Sequence, residues 1–119
     1  MINYRHNLRF IEGDITTGDF HDVATLVYEG VLPSAPTKGL IISLTEFVEF
    51  EISTVKYLVP EKLYESFSHI DFFAMEDDFG CYVPRVDWMA RYVKYGFTVL
   101  TADNESKEAI EDAVSSVAV

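Results

Sequence analysis

The sequence predicts an α+β fold in a single compact domain, with a mixed or antiparallel sheet and three to four helices. Three observations lead there. The 119 residues are 49% apolar and 14% aromatic, enough for one hydrophobic core and too few for two. Residues 84–119 carry the signals of a helix, a strand and a second helix. Residues 70–83 look like two short strands joined by an acidic turn, and such a hairpin favours segregated helices and strands over a doubly wound parallel sheet.

Taken in order, Leu8-Arg9-Phe10-Ile11-Glu12 is a strand candidate ended by Gly13-Asp14, and Thr16-Thr17-Gly18 is a second turn signal. Asp19 to Glu29 reads as helix, because Phe20, Val23, Ala24 and Val27 follow the i, i+3, i+4, i+7 spacing and Gly30 stands where a helix commonly stops. Residues 31–39 hold two prolines and a glycine and form a connection within the domain. Residues 40–59 fit both periods. Their β-branched and aromatic content favours a strand over 47–58. Pro60-Glu61 opens a short helix through Phe67.

Ile70 to Met75 and Gly80 to Val83 are the two strands of the expected hairpin, with Glu76-Asp77-Asp78 at its tip. Pro84 then suits a first helical turn, the apolar period runs to Tyr95, and Gly96 ends the helix. Phe97 to Ala102 is a strand, in which Val99 is expected to sit centrally in the core. Asp103-Asn104 caps a helix over Glu105–Val117 that buries Ala109, Ile110, Ala113, Val114 and Val117.

Chemical motifs are sparse. Cys81 is the sole cysteine, which excludes an internal disulfide and suits a reducing compartment. Neither His21 nor His69 stands in a pattern that would activate it, so Cys81 reads as a small buried hydrophobe. His69 with Asp71, and the 76–78 acids, match neither zinc nor calcium spacing. Gly13 and Gly18 lack the spacing and the lysine of a phosphate loop. The expectation is therefore no catalytic residue, no metal site and no cofactor.

Nine lysines and arginines face twenty acids, a net charge of −11. That sign repels nucleic acid and anionic membrane and attracts basic partners. Without an apolar leader or a run of spanning length, the protein is expected to be soluble and cytoplasmic.

Two surfaces stand out. Acidic helix faces are expected from Asp19, Asp22 and Glu29 and from Glu105, Glu108, Glu111 and Asp112, with carboxylates spaced rather like phosphates along a nucleic-acid strand. The helix after Pro84 carries Arg85, Trp88, Arg91, Tyr92 and Tyr95, residue types enriched in binding hot spots but equally suited to burial between layers. The functional expectation is a non-catalytic acidic domain that binds a basic protein, as an inhibitor of a nucleic-acid-handling protein of host-defence nuclease or toxin type would. The alternatives are an oligomerising accessory protein, a homodimer among others, that uses the aromatic helix, and a small enzyme or ligand-binding domain whose site is assembled only in three dimensions.

Overall fold

The computed structural model describes residues 1–14, 16–45, 48–71, 85–102 and 104–115. In chain order its elements are β1 (Ile2–Asp14), β2 (Asp19–Leu32), β3 (Ile41–Thr45), β4 (Val48–Glu51), β5 (Thr54–Leu58), β6 (Leu63–Asp71), α1 (Arg85–Lys94), β7 (Thr98–Thr101) and α2 (Asn104–Val114).

β1 is the organising strand. Tyr4, His6, Leu8 and Phe10 are buried while Asn3, Arg5, Asn7 and Arg9 are more exposed, the two-residue alternation of a strand with one covered face. It pairs antiparallel with β2 and parallel with β6. It is therefore the middle strand of a five-stranded mixed sheet ordered β5-β6-β1-β2-β7, beside a two-stranded β3–β4 sheet.

The covered face builds the core. Tyr4, Leu8, Phe10, Ala24 and Leu26 meet Val48 and Phe50 of β4, Met89 and Tyr92 of α1, Phe97, and Ile110 of α2. Burying each large side chain contributes about 1.5–3 kcal/mol. Edge-to-face contacts join Phe10 to Tyr92, Phe50 to Phe97 and Tyr92 to Phe97, at ring separations of 5.7, 5.5 and 5.4 Å. The β3–β4 hairpin and both described helices thus lie on one side of the large sheet.

The expected α+β fold with three to four helices is corrected. Among the described residues there are seven strands and two helices, and the protein is mostly β. Two segments account for the difference. Residues 19–29 form part of β2, because Leu26 and Tyr28, outside the supposed helical stripe, join Ala24 in facing the core at two-residue spacing. A hairpin ladder from Ile2↔Leu32 to Asp14↔Asp19 overrides the local helical spacing. Gly30 is a strand residue opposite Tyr4, and a Cβ there would lie 3.1 Å from the Tyr28 ring. Residues 60–67 are also not helical. Val59 to Lys62 form the loop between β5 and β6, with Lys62 at a left-handed φ of 52°, and β6 begins at Leu63.

The strand expected over 47–58 appears as β4 and β5, separated by Ile52 and Ser53. The first strand is longer than expected, starting at Ile2. Of the expected 70–83 hairpin, Ile70 and Asp71 end β6, and 72–84 lie outside the described residues, Cys81 and the 76–78 acids among them. Val99 is half-buried on β7, an edge strand, so the central position belongs to β1 instead.

The helix–strand–helix of the C-terminal third is present as α1, β7 and α2. α1 closes with Gly96 at φ 117°: Gly96 N–H donates to Val93 O at 3.2 Å and Phe97 N–H to Tyr92 O at 3.1 Å. That is the Schellman pattern, and the Phe97–Tyr92 ring contact supplies its apolar clasp. Among the described residues no helix is long and apolar enough to cross a membrane.

Candidate functional site

The sheet has two chemically different sides. On the side away from the helices, β1 and its neighbours place charges in register. Arg5 lies opposite Glu29 and beside Glu65, and donates to both carboxylates at 3.2 and 3.3 Å. Lys56 Nζ is 3.4 Å from Glu65 and 5.1 Å from the centre of the Phe67 ring. Burial alone would raise the Glu65 carboxyl, but hydrogen bonds from Asn7, Arg5 and Lys56 outweigh it and hold it below the usual carboxylate range. Arg9 bonds Asp22 through Nε and, at 2.9 Å, through a terminal nitrogen, with Phe20 under its guanidinium at 5.0 Å.

Beside this network the surface sinks into a concavity of about 450 Å³ between β1, β2, β5 and β6, bordered by Asn7, Arg9, Thr25, Phe67, Ser68 and His69. A second of about 420 Å³ lies between the sheet and the β3–β4 hairpin, where Glu49 and Glu51 stand at the rim and Ser68 and His69 are shared with the first.

On the covered side, His6 is fully buried between two serines of β6. Its Nδ1 is 2.7 Å from Ser66 Oγ and its Nε2 2.7 Å from Ser68 Oγ, and its ring stacks on Phe50 at 4.0 Å. The parallel register that puts His6 beside Ser66 brings this about. Desolvation pushes the imidazole down to about 4, so it is neutral near pH 7. Ser66 is fully buried and, among the described residues, its hydroxyl bonds His6 alone, so its proton is best placed on Nδ1. His6 Nε2–H then donates to Ser68 Oγ, which lies with it on the covered side of the sheet.

Two of the residues expected on an acidic helix face, Asp22 and Glu29, are instead on the network side of the sheet, paired with Arg9 and Arg5. Asp19 is exposed at the start of β2. Glu108, Glu111 and Asp112 are exposed on α2 and form no ion pair among the described residues; Glu105 lies in the same helix. The two acidic sets are therefore not brought together into one helical surface.

The aromatic helix is divided. Tyr92 is buried and its hydroxyl donates to the Glu49 carbonyl; burial raises that phenol well above its ordinary range. Trp88 and Tyr95 are half-buried against the core, Arg91 stacks over Trp88 at 4.9 Å, and Arg85 begins α1. This helix is chiefly a packing element.

The His6–Ser66–Ser68 group escapes a local reading because sixty residues separate His6 from Ser66. The signals for it are present: histidine takes an apolar turn in the Tyr4-His6-Leu8-Phe10 alternation, and two serines stand two apart in a strand. Among the described residues no three His, Cys, Asp or Glu side chains are grouped to hold a metal. Compared with protein-family models, curated proteins and solved structures, the chain matches none.

Proposed function

We propose that this domain acts by binding a basic protein, through the carboxylates on the helix side of the sheet, and that it inhibits a nucleic-acid-handling protein by occupying its basic surface. One observation carries the reading, the unequal distribution of charge partners. Arg5, Arg9 and Lys56, three of the nine bases, are engaged by acids on the network side. On the other side Glu49 and Glu51 of β4 and Glu108, Glu111 and Asp112 of α2 are exposed without ion pairs among the described residues. A surface with that much uncompensated charge steers a basic partner and accelerates encounter.

The test is affinity capture of a partner, followed by association kinetics across ionic strength. Raising salt from roughly 50 to 500 mM shortens the Debye length from about 14 to about 4 Å, and association should slow steeply. The triple variant Glu108→Gln, Glu111→Gln, Asp112→Asn should bind about tenfold more slowly at low salt and melt like wild type. A flat salt dependence with an unaltered rate for the variant would reduce these carboxylates to a solubilising surface.

A further inference from the structure

Resting on the partner reading just given, we propose that the cleft between β4 and the end of β6 takes up an extended basic segment of that partner. The segment adds as a strand to the open edge of β6, across the cleft from Glu49 and Glu51.

The direction of the backbone groups argues for it first. Alternate residues of a strand turn their N–H and C=O to opposite edges. In β4, Ile52 N–H donates to Leu40 O and Ile52 O accepts from Gly39 N–H, so Ile52 and Phe50 turn toward β3. Glu49 and Glu51 turn the other way, and the Tyr92 hydroxyl meets Glu49 O there. In β6, Phe67 O accepts from Ser53 N–H on the edge away from β1. Two residues on, His69 turns its backbone groups to that same edge, but β5 begins opposite Phe67 and does not reach it.

What these groups face is open space. Glu49, Glu51 and His69 all line the cavity of about 420 Å³. Among the described residues, the His69 N–H and C=O have no strand partner on this edge. An edge of this kind is where an extended peptide adds. From Ser68 to Asp71 it runs about 10 Å at the usual strand rise, the length of a segment of about four residues.

The side chains choose the occupant. Leu8, Phe50 and Ile70 form an apolar floor, while Glu49 and Glu51 are exposed at the rim. An added strand sends alternate side chains to opposite faces, one set to the floor and the other to the two carboxylates. The matching segment therefore alternates aliphatic residues with Lys or Arg. A second copy of this chain, with twenty acids against nine bases, is poorly matched to that rim.

Amide chemical shifts and hydrogen exchange of the whole chain, measured with acetyl-Lys-Val-Lys-Val-Lys-amide, test the proposal. Two peptides serve for comparison. One replaces every lysine with glutamate; the other is the lysine peptide N-methylated at its three central residues, which keeps the charge and removes the donors of both edges. The lysine peptide should give saturable shifts centred on Glu49, Glu51, Ser53, His69 and Ile70, with slower exchange of the His69 amide. The glutamate peptide should not bind. N-methylation should weaken binding by about tenfold, and the double variant Glu49→Gln, Glu51→Gln by about fivefold. Shifts centred elsewhere, equal affinity for either comparison peptide, unchanged exchange at His69 or unchanged binding by the double variant would overturn it. A peptide that misses the cleft, beside a captured partner whose association still slows in salt, sinks the cleft alone. A peptide seated in the cleft, beside a flat salt dependence, sinks the partner reading alone.

Discussion

The Tyr92 hydroxyl donates to the backbone carbonyl of Glu49 at 2.8 Å, tying α1 to the small β3–β4 sheet across the core. The same ring stands edge-on to both Phe10 and Phe97. Tyr92→Phe should keep the packing and lose about 1 kcal/mol for the hydrogen bond. Tyr92→Ala should cost about 3–5 kcal/mol, a large share of the roughly 5–15 kcal/mol a domain has. Urea denaturation measures both. A Trp88→Ala, Tyr92→Ala double variant that stayed folded and lost only association would return these residues to an interface role.

Two glycines at positive φ should respond differently to alanine. Gly96 has φ 117°, and a Cβ there would meet the Tyr28 ring at 3.2 Å; Gly18 has φ 78° with nothing within 4 Å. Gly96→Ala should destabilise by about 2–3 kcal/mol, from backbone strain and loss of the helix cap, and Gly18→Ala by about 1 kcal/mol. Thermal melts of the pair compare them directly, and equal losses would show that the Tyr28 contact yields freely.

Stability should fall in two stages on acidification. His6 titrates near 6.5 when unfolded and at about 4 when folded. The unfolded chain therefore takes up its proton first. The contribution is complete above about pH 6.5 and is lost as pH drops toward 4, about 3 kcal/mol in all. Glu65 is held below its ordinary value, so its share is present above about pH 4.5 and is lost below that, as pH falls through its folded value. Denaturation midpoints from pH 8 to pH 3, with the His6 ring followed by NMR, trace both. A stability flat from pH 7 to 4.5 would mean that the His6 environment admits water.

The two carboxylates on Arg5 should prove unequal. Glu65 is 13% exposed and takes three donors, whereas Glu29 is 68% exposed and pairs, among the described residues, with Arg5 alone. Glu65→Gln should lose about 1–2 kcal/mol, and Glu29→Gln less than about 0.5 kcal/mol. Similar losses in urea titrations would argue that Arg5, rather than burial, sets the value of both.

What could be read from the residues alone was whatever is decided locally. Gly96 after an amphipathic run forecast the end of α1, and Thr98–Thr101 announced a strand, because cap and strand signals there need no distant partner. β2 was open to misreading because Val23, Ala24 and Val27 imitate a helical stripe; what makes it a strand is pairing with β1, to which Asn3, Arg5, Asn7 and Arg9 hold an alternating polar row. The candidate sites are the least legible part. Asp22 and Glu29 were visible as acids, but their pairing with Arg9 and Arg5 follows from register, as does the meeting of His6 with Ser66 and Ser68.

The parallel pairing of β1 with β6 also governs how the chain is made. β1 emerges before β2 during synthesis and can close a hairpin with it once residue 32 is out, but its other edge lacks its β6 partner until residues 64–71 follow. An unpaired strand edge on a nascent ribbon invites pairing with neighbouring chains, and such long-range closure slows folding. Arg5 and Arg9 limit that hazard, because in-register pairing of two such edges would set like charges side by side.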